Sequence, residues 1–378
     1  MRSCHIVPSL EARHGGPSKS VLGLATALAA RGDEVELLTT DPSPGWRRTQ
    51  DNVDIHAFHR GWPAKFCASP ELRRHLRTVS ADVVHHHSIW LRTLHYAHQA
   101  ARLTGAKLVV SPRGMMDPWA WGHHRMKKAF ARAVIHPGAL EAVDGWHVTS
   151  HEEFDAVRRL GFQQPICVAP NGVSAVSAEA SAAAEAHWHQ LLRMSGKIPV
   201  ALFYSRFHRK KRLIELIDAW LENGPSNWLL LVVGIPEDYT PKMIEDYVLR
   251  AGQSGRVRAF DGAGHPPPYS IASLFLLPSH GENFGLSIAE ALAQGVPALV
   301  TDTTPWSGLN LTGSGWCVPW SDFASAIRAA TSEGVESLNR RGLIAREWVL
   351  REFSWEKPAR LLADFYSTLD ENPKARRP

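Results

Sequence analysis

The sequence predicts an α/β protein built from two doubly wound domains with parallel sheets. Three observations carry this. Apolar strand-length runs alternate with helix-length segments; the alternation breaks once, after about Gly172, and then resumes; and 378 residues exceed one domain of roughly 150–200 residues. Open parallel sheets bind ligands outside the carboxyl ends of their strands, so two such domains facing a cleft are the economical architecture. The expected division is residues 1–172, a connector over 173–197, and 198–354, with a final helix over 355–370 returning to the first domain.

The first domain opens with a strand (Ser3 to Pro8), a His14-Gly15-Gly16-Pro17 turn, a helix from Ser18 to about Ala30 and a strand from Glu34 to Thr40. That βαβ unit implies a right-handed parallel crossover. Further strands are expected at Asp82 to His86, Lys107 to Ser111, Gly145 to Thr149 and Ile166 to Ala169. The Ala/Ser-rich stretch Ser174 to Ala186 reads as weakly helical and as the connector. Strands then recur at Pro199 to Tyr204, Trp228 to Gly234, Val257 to Phe260, Leu274 to Leu277 and Ala298 to Thr301. In the closing helix, Trp355, Leu361, Leu362 and Phe365 are spaced for burial.

Composition narrows the function classes. Hydrophobic residues make up 44% and charged residues 21%, as in globular proteins. Cys4, Cys67, Cys167 and Cys317 lack CxxC spacing, so neither a zinc site nor a disulfide framework is indicated, and a cytoplasmic setting fits. No apolar run reaches the roughly 18–20 residues that span a bilayer, and no signal peptide is evident. Residues 1–171 hold 21 Lys+Arg against 15 Asp+Glu, whereas the remainder holds 21 against 22. The basic first half favours an anionic partner, a phosphorylated acceptor or an anionic membrane surface; no nucleic-acid module accompanies it.

Several constellations suit anion chemistry. Gly15 and Gly16 place two residues without a Cβ before a helix, where a phosphate can approach the backbone; without G-x-G-x-x-G they are no dinucleotide fingerprint. Arg206 and Lys211 follow the ALFYS strand, crowded by Arg209, Lys210 and Arg212. They are either a solvated basic helix start or the seat of a diphosphate whose departing charge they neutralise. Glu282 and Glu290 bracket the start of the next helix, whose loop and first residues (Asn283, Phe284, Gly285 and Leu286) expose backbone N–H groups. His85, His86 and His87 end a strand, and alternation prevents all three from binding one metal. Trp121 to Ile135 reads as a basic amphipathic helix, packed on the core or docked on anionic lipid.

The stretch PSHGENFGLSIAEALAQGVPALVTD resembles the donor-site segment of the family 4 retaining glycosyltransferases, a GT-B fold family. The resemblance extends to SRFHRKKR, an Arg-x4-Lys segment in which Arg212 stands where Gly is common, and to the 111–119 segment. It implies a nucleotide diphosphate sugar as donor and a retaining transfer of a hexose-type sugar to a hydroxyl on a glycan or lipid-linked sugar. Such enzymes serve surface polysaccharide or glycolipid synthesis, here at the inner face of the membrane. Arg206 and Lys211 would hold the diphosphate with the Gly15, Gly16 and Phe284 to Leu286 amides. Glu282 would bind sugar hydroxyls, Glu290 the ribose diol, and no metal or other cofactor is expected. His87 matches a histidine at the cleft, and Arg113 stands where many members have His. With Asp117, these two would lie on the acceptor and sugar side. Thr304 to Gly308 is expected to line the cleft. A sugar-nucleotide epimerase, a phosphorylase or a non-catalytic glycan-binding relative would share the fold.

Overall fold

Runs such as VALFY, LLLVVG, LFLL and ALVT are apolar at successive positions, which strands tolerate only when both sheet faces are covered. The computed structural model buries them accordingly. It describes residues 1–11, 16–43, 45–116, 121, 125–193 and 198–370. The chain divides into two units, Met1–Gly172 with Trp355–Pro378, and Val173–Ser354.

The first unit holds β1 (Arg2–Val7), β2 (Glu34–Asp41), β3 (Trp46–Gln50), β4 (Val53–His59), β5 (Val83–His87), β6 (Lys107–Ser111), β7 (Gly145–Val148) and β8 (Ile166–Val168). Their order is β3-β4-β2-β1-β5-β6-β7-β8. All pairs are parallel except the β3–β4 hairpin. That hairpin is an addition to the expected strands. Asp51 and Asn52 form its turn with φ of 49° and 62°, the left-handed pair that two-residue hairpins require.

The second unit contributes β9 (Val200–Tyr204), β10 (Leu229–Gly234), β11 (Val257–Asp261), β12 (Leu274–Leu277), β13 (Ala298–Thr301) and β14 (Gly315–Val318). The order β11-β10-β9-β12-β13-β14 is wholly parallel. In both sheets the chain reverses its direction of travel once, between β1 and β5 and between β9 and β12. Those are the switch points at which doubly wound sheets open a crevice.

Three expectations need correcting. The Ala/Ser-rich stretch is no connector: it forms the helix Ala178–Leu192, and the second unit's core takes in Val173, Trp188 and Leu192. Trp188 supplies the apolar anchor that the alanines lack, and its Nε1 donates to the Pro266 carbonyl at 2.9 Å. The final helix, Glu356–Asp370, packs on the first unit through Ala359, Leu362, Ala363, Tyr366 and Leu369, while Leu361 is exposed. Trp355 seats against Gly23 and Gly172, where a Cβ would come within 2.4 Å and 2.3 Å of its ring. The segment after Trp121 does not pack as expected either. Within Arg125–Phe130 and the turn Ala131–Ile135, only Ala131 and Ile135 are buried among the described side chains, and Met126, Phe130, Ala133 and Val134 are exposed.

Candidate active site

The carboxyl ends of β9 and β12 lie side by side, and their loops carry the basic and acidic groups. After β9 the chain crosses closely over the end of β10, where a Cβ on Gly234 would lie 1.6 Å from the Ser205 carbonyl oxygen. Arg206 emerges there, half-exposed, and its Nη1 donates to Glu237 at 2.9 Å. A single 3₁₀ turn, Arg209–Lys211, follows, with the His208 ring accepting from the Lys210 amide. Arg212 then adopts φ of +50°, which explains why glycine is common at that place. Its guanidinium lies over Trp320 and donates to His280, away from the acidic pair. Lys211 turns inward instead.

Lys211 Nζ meets Glu282 Oε1 at 2.5 Å, and both side chains are nearly nine-tenths covered. The Ser279 hydroxyl donates to the same oxygen. Burial alone would push the Glu282 carboxyl up; Lys211 and Ser279, with help from Lys210, outweigh this and hold it below the usual carboxylate range. The His280 amide donates to the Lys210 carbonyl at 2.8 Å, so backbone as well as side chains join the two loops.

The helix Leu286–Ala293 starts at Gly285, whose φ is +79°. Its first N–H groups have no intrahelical acceptors, so this end attracts anions. Glu290 sits in the second turn and accepts from the Tyr269 hydroxyl at 2.8 Å. Trp306 fixes the helix entry by donating to the Phe284 carbonyl at 2.5 Å. Within Thr304 to Gly308, Thr304 and Trp306 are buried packing residues, whereas Ser307 is exposed. Trp306 is fully buried, and a Cβ on Gly308 would lie 2.9 Å from Trp348, leaving no room for a larger side chain.

The first unit's switch point carries a different chemistry. Gly16 opens the helix Gly16–Ala30 and is exposed; Gly15 and Asp117 lie outside the described residues. His5 and His85 are cross-strand partners, and His87 lies two residues beyond on the same face. Their ring nitrogens fall within 4.8 Å of one another, the spacing of a three-imidazole metal site. Their hydrogen bonds give them another role.

Arg113 Nη2 donates to His87 Nδ1 at 3.0 Å, so the His87 proton sits on Nε2, which donates to His5 Nδ1 at 3.1 Å. A second chain is equally determined. His147 donates to the Ala169 carbonyl and accepts from Ser111; Ser111 accepts from His85, which accepts from Tyr366. The arrangement is a relay of protons with a cation beside it. His87 is fully buried, with Arg113 donating to its ring.

Sequence reasoning missed Ser279, Glu237, Tyr269, Asn171 and His5. Of these, only Ser279 lay inside a recognised string.

Models for two families match the chain: a "Glycosyl transferase 4-like domain" over residues 15–172 and "Glycosyl transferases group 1" over residues 186–348. The chain belongs to the group 1 glycosyltransferases. This glycosyltransferase is 25% identical over 320 residues to a GDP-mannose:cellobiosyl-diphosphopolyprenol alpha-mannosyltransferase of Xanthomonas campestris, covering 81% of the chain and 80% of the relative. It is 26% identical to a D-inositol 3-phosphate glycosyltransferase of Xylanimonas cellulosilytica, covering 96% and 94%. Among solved structures, Anabaena Alr3699/HepE in complex with UDP-glucose is similar with a TM-score of 0.75 at 16% identity, covering 97% of this chain and all of that one. Sucrose-phosphate synthase from Thermosynechococcus elongatus is similar at 0.72 and 20%, covering 98% and 99%. The glycosyltransferase thus has the GT-B fold.

The buried imidazoles make stability depend on acid. Burial brings His5, His86 and His147 down from 6.5 to about 3. Between those values the unfolded chain binds protons that the fold does not, so stability falls as pH drops below about 6.5. Each such ring removes about 1.4 kcal/mol per pH unit well inside that window. Urea unfolding at pH 7 and pH 5 should show a shallower loss for His86→Gln than for the wild type; equal losses would contradict the assignment.

Proposed function

We propose that this glycosyltransferase moves a hexose-type sugar from a nucleotide diphosphate sugar to a hydroxyl with retention at the anomeric carbon and without a metal ion. The observation that carries this reading is the Lys211–Glu282 pair at the β9/β12 switch point, with Arg206 on the same loop as Lys211. Lys211 supplies fixed positive charge for the departing diphosphate and the exposed Arg206 adds a second cation, the role a divalent cation plays in other designs. The helix start at Gly285 and Leu286 adds backbone N–H groups, with Asn283 and Phe284 in the loop before it. Gly16, exposed at the start of its own helix in the first unit, has an amide of the same anion-attracting kind. Glu282 binds Lys211 and Ser279 through Oε1, leaving Oε2 to accept from a sugar hydroxyl. Glu290, anchored by Tyr269, accepts from the ribose diol.

The bond from the anomeric carbon to the diphosphate oxygen breaks as the bond to the acceptor oxygen forms on the same face. The acceptor's proton passes to the leaving phosphate oxygen. No protein nucleophile takes part.

The acceptor is a glycan or lipid-linked sugar in surface polysaccharide or glycolipid synthesis. The Xanthomonas campestris relative, named for a diphosphopolyprenol-linked acceptor, supports this. So does the exposed stripe Met126, Phe130 and Val134, with the exposed cations Lys127 and Arg132 beside it, which suits peripheral contact with anionic lipid at the inner membrane face. No described helix is long and apolar enough to cross a membrane.

Two outcomes are expected. With UDP- and GDP-sugars in EDTA, NMR of the product should show the donor's anomeric configuration. Glu290→Ala should weaken nucleotide binding, whereas Lys211→Ala should lower turnover by roughly 10²–10³ with a smaller change in KM. An inverted product, or unchanged nucleotide affinity in Glu290→Ala, would refute the reading. For the membrane contact, Met126→Glu/Phe130→Glu should reduce co-sedimentation with phosphatidylglycerol vesicles; undiminished binding would remove the stripe from the proposal.

A further inference from the structure

Among the described residues, Arg113 is a largely buried cation whose contacts are all neutral. Nη1 donates to Asn171 Oδ1 at 2.8 Å and Nη2 to His87 Nδ1 at 3.0 Å, while Nε is buried with no hydrogen-bond partner. Of five N–H groups, three remain unspent. Among the described residues Glu153 is the acidic side chain that acts on it, but its oxygens accept from the Gly114 amide at 2.5 Å and the Thr149 amide at 2.9 Å rather than from Arg113. Burial lowers the guanidinium to about 10, so it stays charged at neutral pH.

Buried charges are ordinarily paired, because an uncompensated one costs several kcal/mol. The histidines supply no counter-charge. They are neutral, and their relay ends at His5 Nε2, another buried group without a partner. What the relay supplies is orientation, since its direction is set by a guanidinium that can only donate. Backbone strain points the same way: Arg113 holds φ of +54°. The side chain stands where β5, β6 and β8 deliver His87, the Arg113 loop and Asn171, beside the β1/β5 switch point, and the residue as a whole is only partly covered.

We propose that Arg113 is the receptor for a phosphate-class oxyanion carried by the acceptor substrate. The word acceptor rests on the transferase reading above; the oxyanion receptor itself does not. A planar guanidinium with free N–H groups matches a phosphate by two parallel hydrogen bonds, a geometry that lysine or histidine cannot copy. The donor diphosphate has its own cations in Arg206 and Lys211, which leaves Arg113 to the other substrate. His87, Asn171 and, through His87, His5 are positioning residues.

The test uses the full chain and isothermal titration with two probes. Geranyl diphosphate presents an isoprenyl diphosphate without nucleoside; GDP and UDP present a diphosphate with one. Arg113→Gln should weaken geranyl diphosphate binding by roughly tenfold or more and leave nucleoside diphosphate binding within about twofold. Arg113→Lys, which keeps the charge and loses the fork, should recover part of the loss; it carries the comparison should Arg113→Gln melt early. Equal geranyl diphosphate affinity in wild type and variants, or no wild-type binding at millimolar concentration, would overturn the proposal. A loss confined to GDP or UDP would assign Arg113 to the donor and overturn it as well. If the wild type binds geranyl diphosphate through Arg113 but binds no nucleoside diphosphate, the transferase reading fails and the oxyanion receptor stands.

Discussion

The ion pair between Lys211 and Glu282 joins the loops of two adjacent strands at the one place where the second sheet reverses its order. Each loop arrives from a strand buried on both faces, so neither can shift without disturbing the core. Ser279 and the His280–Lys210 backbone bond close the same junction. The result is a cation and a carboxylate held at fixed positions before any substrate arrives. Preorganised charge is the largest single contribution to many group transfers, because it needs no reorganisation when the leaving group departs. Arg206 is different: it pairs with Glu237 on an exposed loop, where the attraction is weak.

The two units use the same topological position with opposite electrostatics. In the second, acid and base are matched at the carboxyl ends of β9 and β12. In the first, the end of β5 carries neutral histidines and an arginine whose charge nothing in the described chain balances. A matched pair suits a group that must accept charge transiently as a bond breaks. An unmatched cation suits a substrate that brings its own charge and keeps it. The histidine relay belongs to the second design: protonating any of its rings would add charge beside Arg113, and burial keeps them all neutral near pH 7.

Much of this could be read in the sequence because strand alternation and anion-binding loops are local. The strands flanking both switch points were placed within a few residues, and the loops holding Arg206, Lys211 and Glu282 followed from them. Features that depend on contacts far apart in the chain were not legible. His5 and His87 are 82 residues apart and meet only because β1 and β5 are neighbours. Tyr366 reaches His85 from the last helix, and Asn171 reaches Arg113 from the loop after β8. Nor does the place of His87 in the chain reveal that Arg113 lies against it. The connector differs for a related reason: its alanines are uninformative, and the docking of Trp188 depends on Pro266, 78 residues away. The Asp51-Asn52 turn is the exception, a local signal that was present and overlooked.

Determining the structure of the full chain with a nucleoside diphosphate bound, in the presence of EDTA, tests the central claim most directly. The diphosphate should lie within hydrogen-bonding distance of Lys211 Nζ and the Arg206 guanidinium, against the start of the helix Leu286–Ala293, with the ribose on Glu290. A diphosphate bound elsewhere, or one that binds only with a divalent cation between it and Glu282, would contradict it.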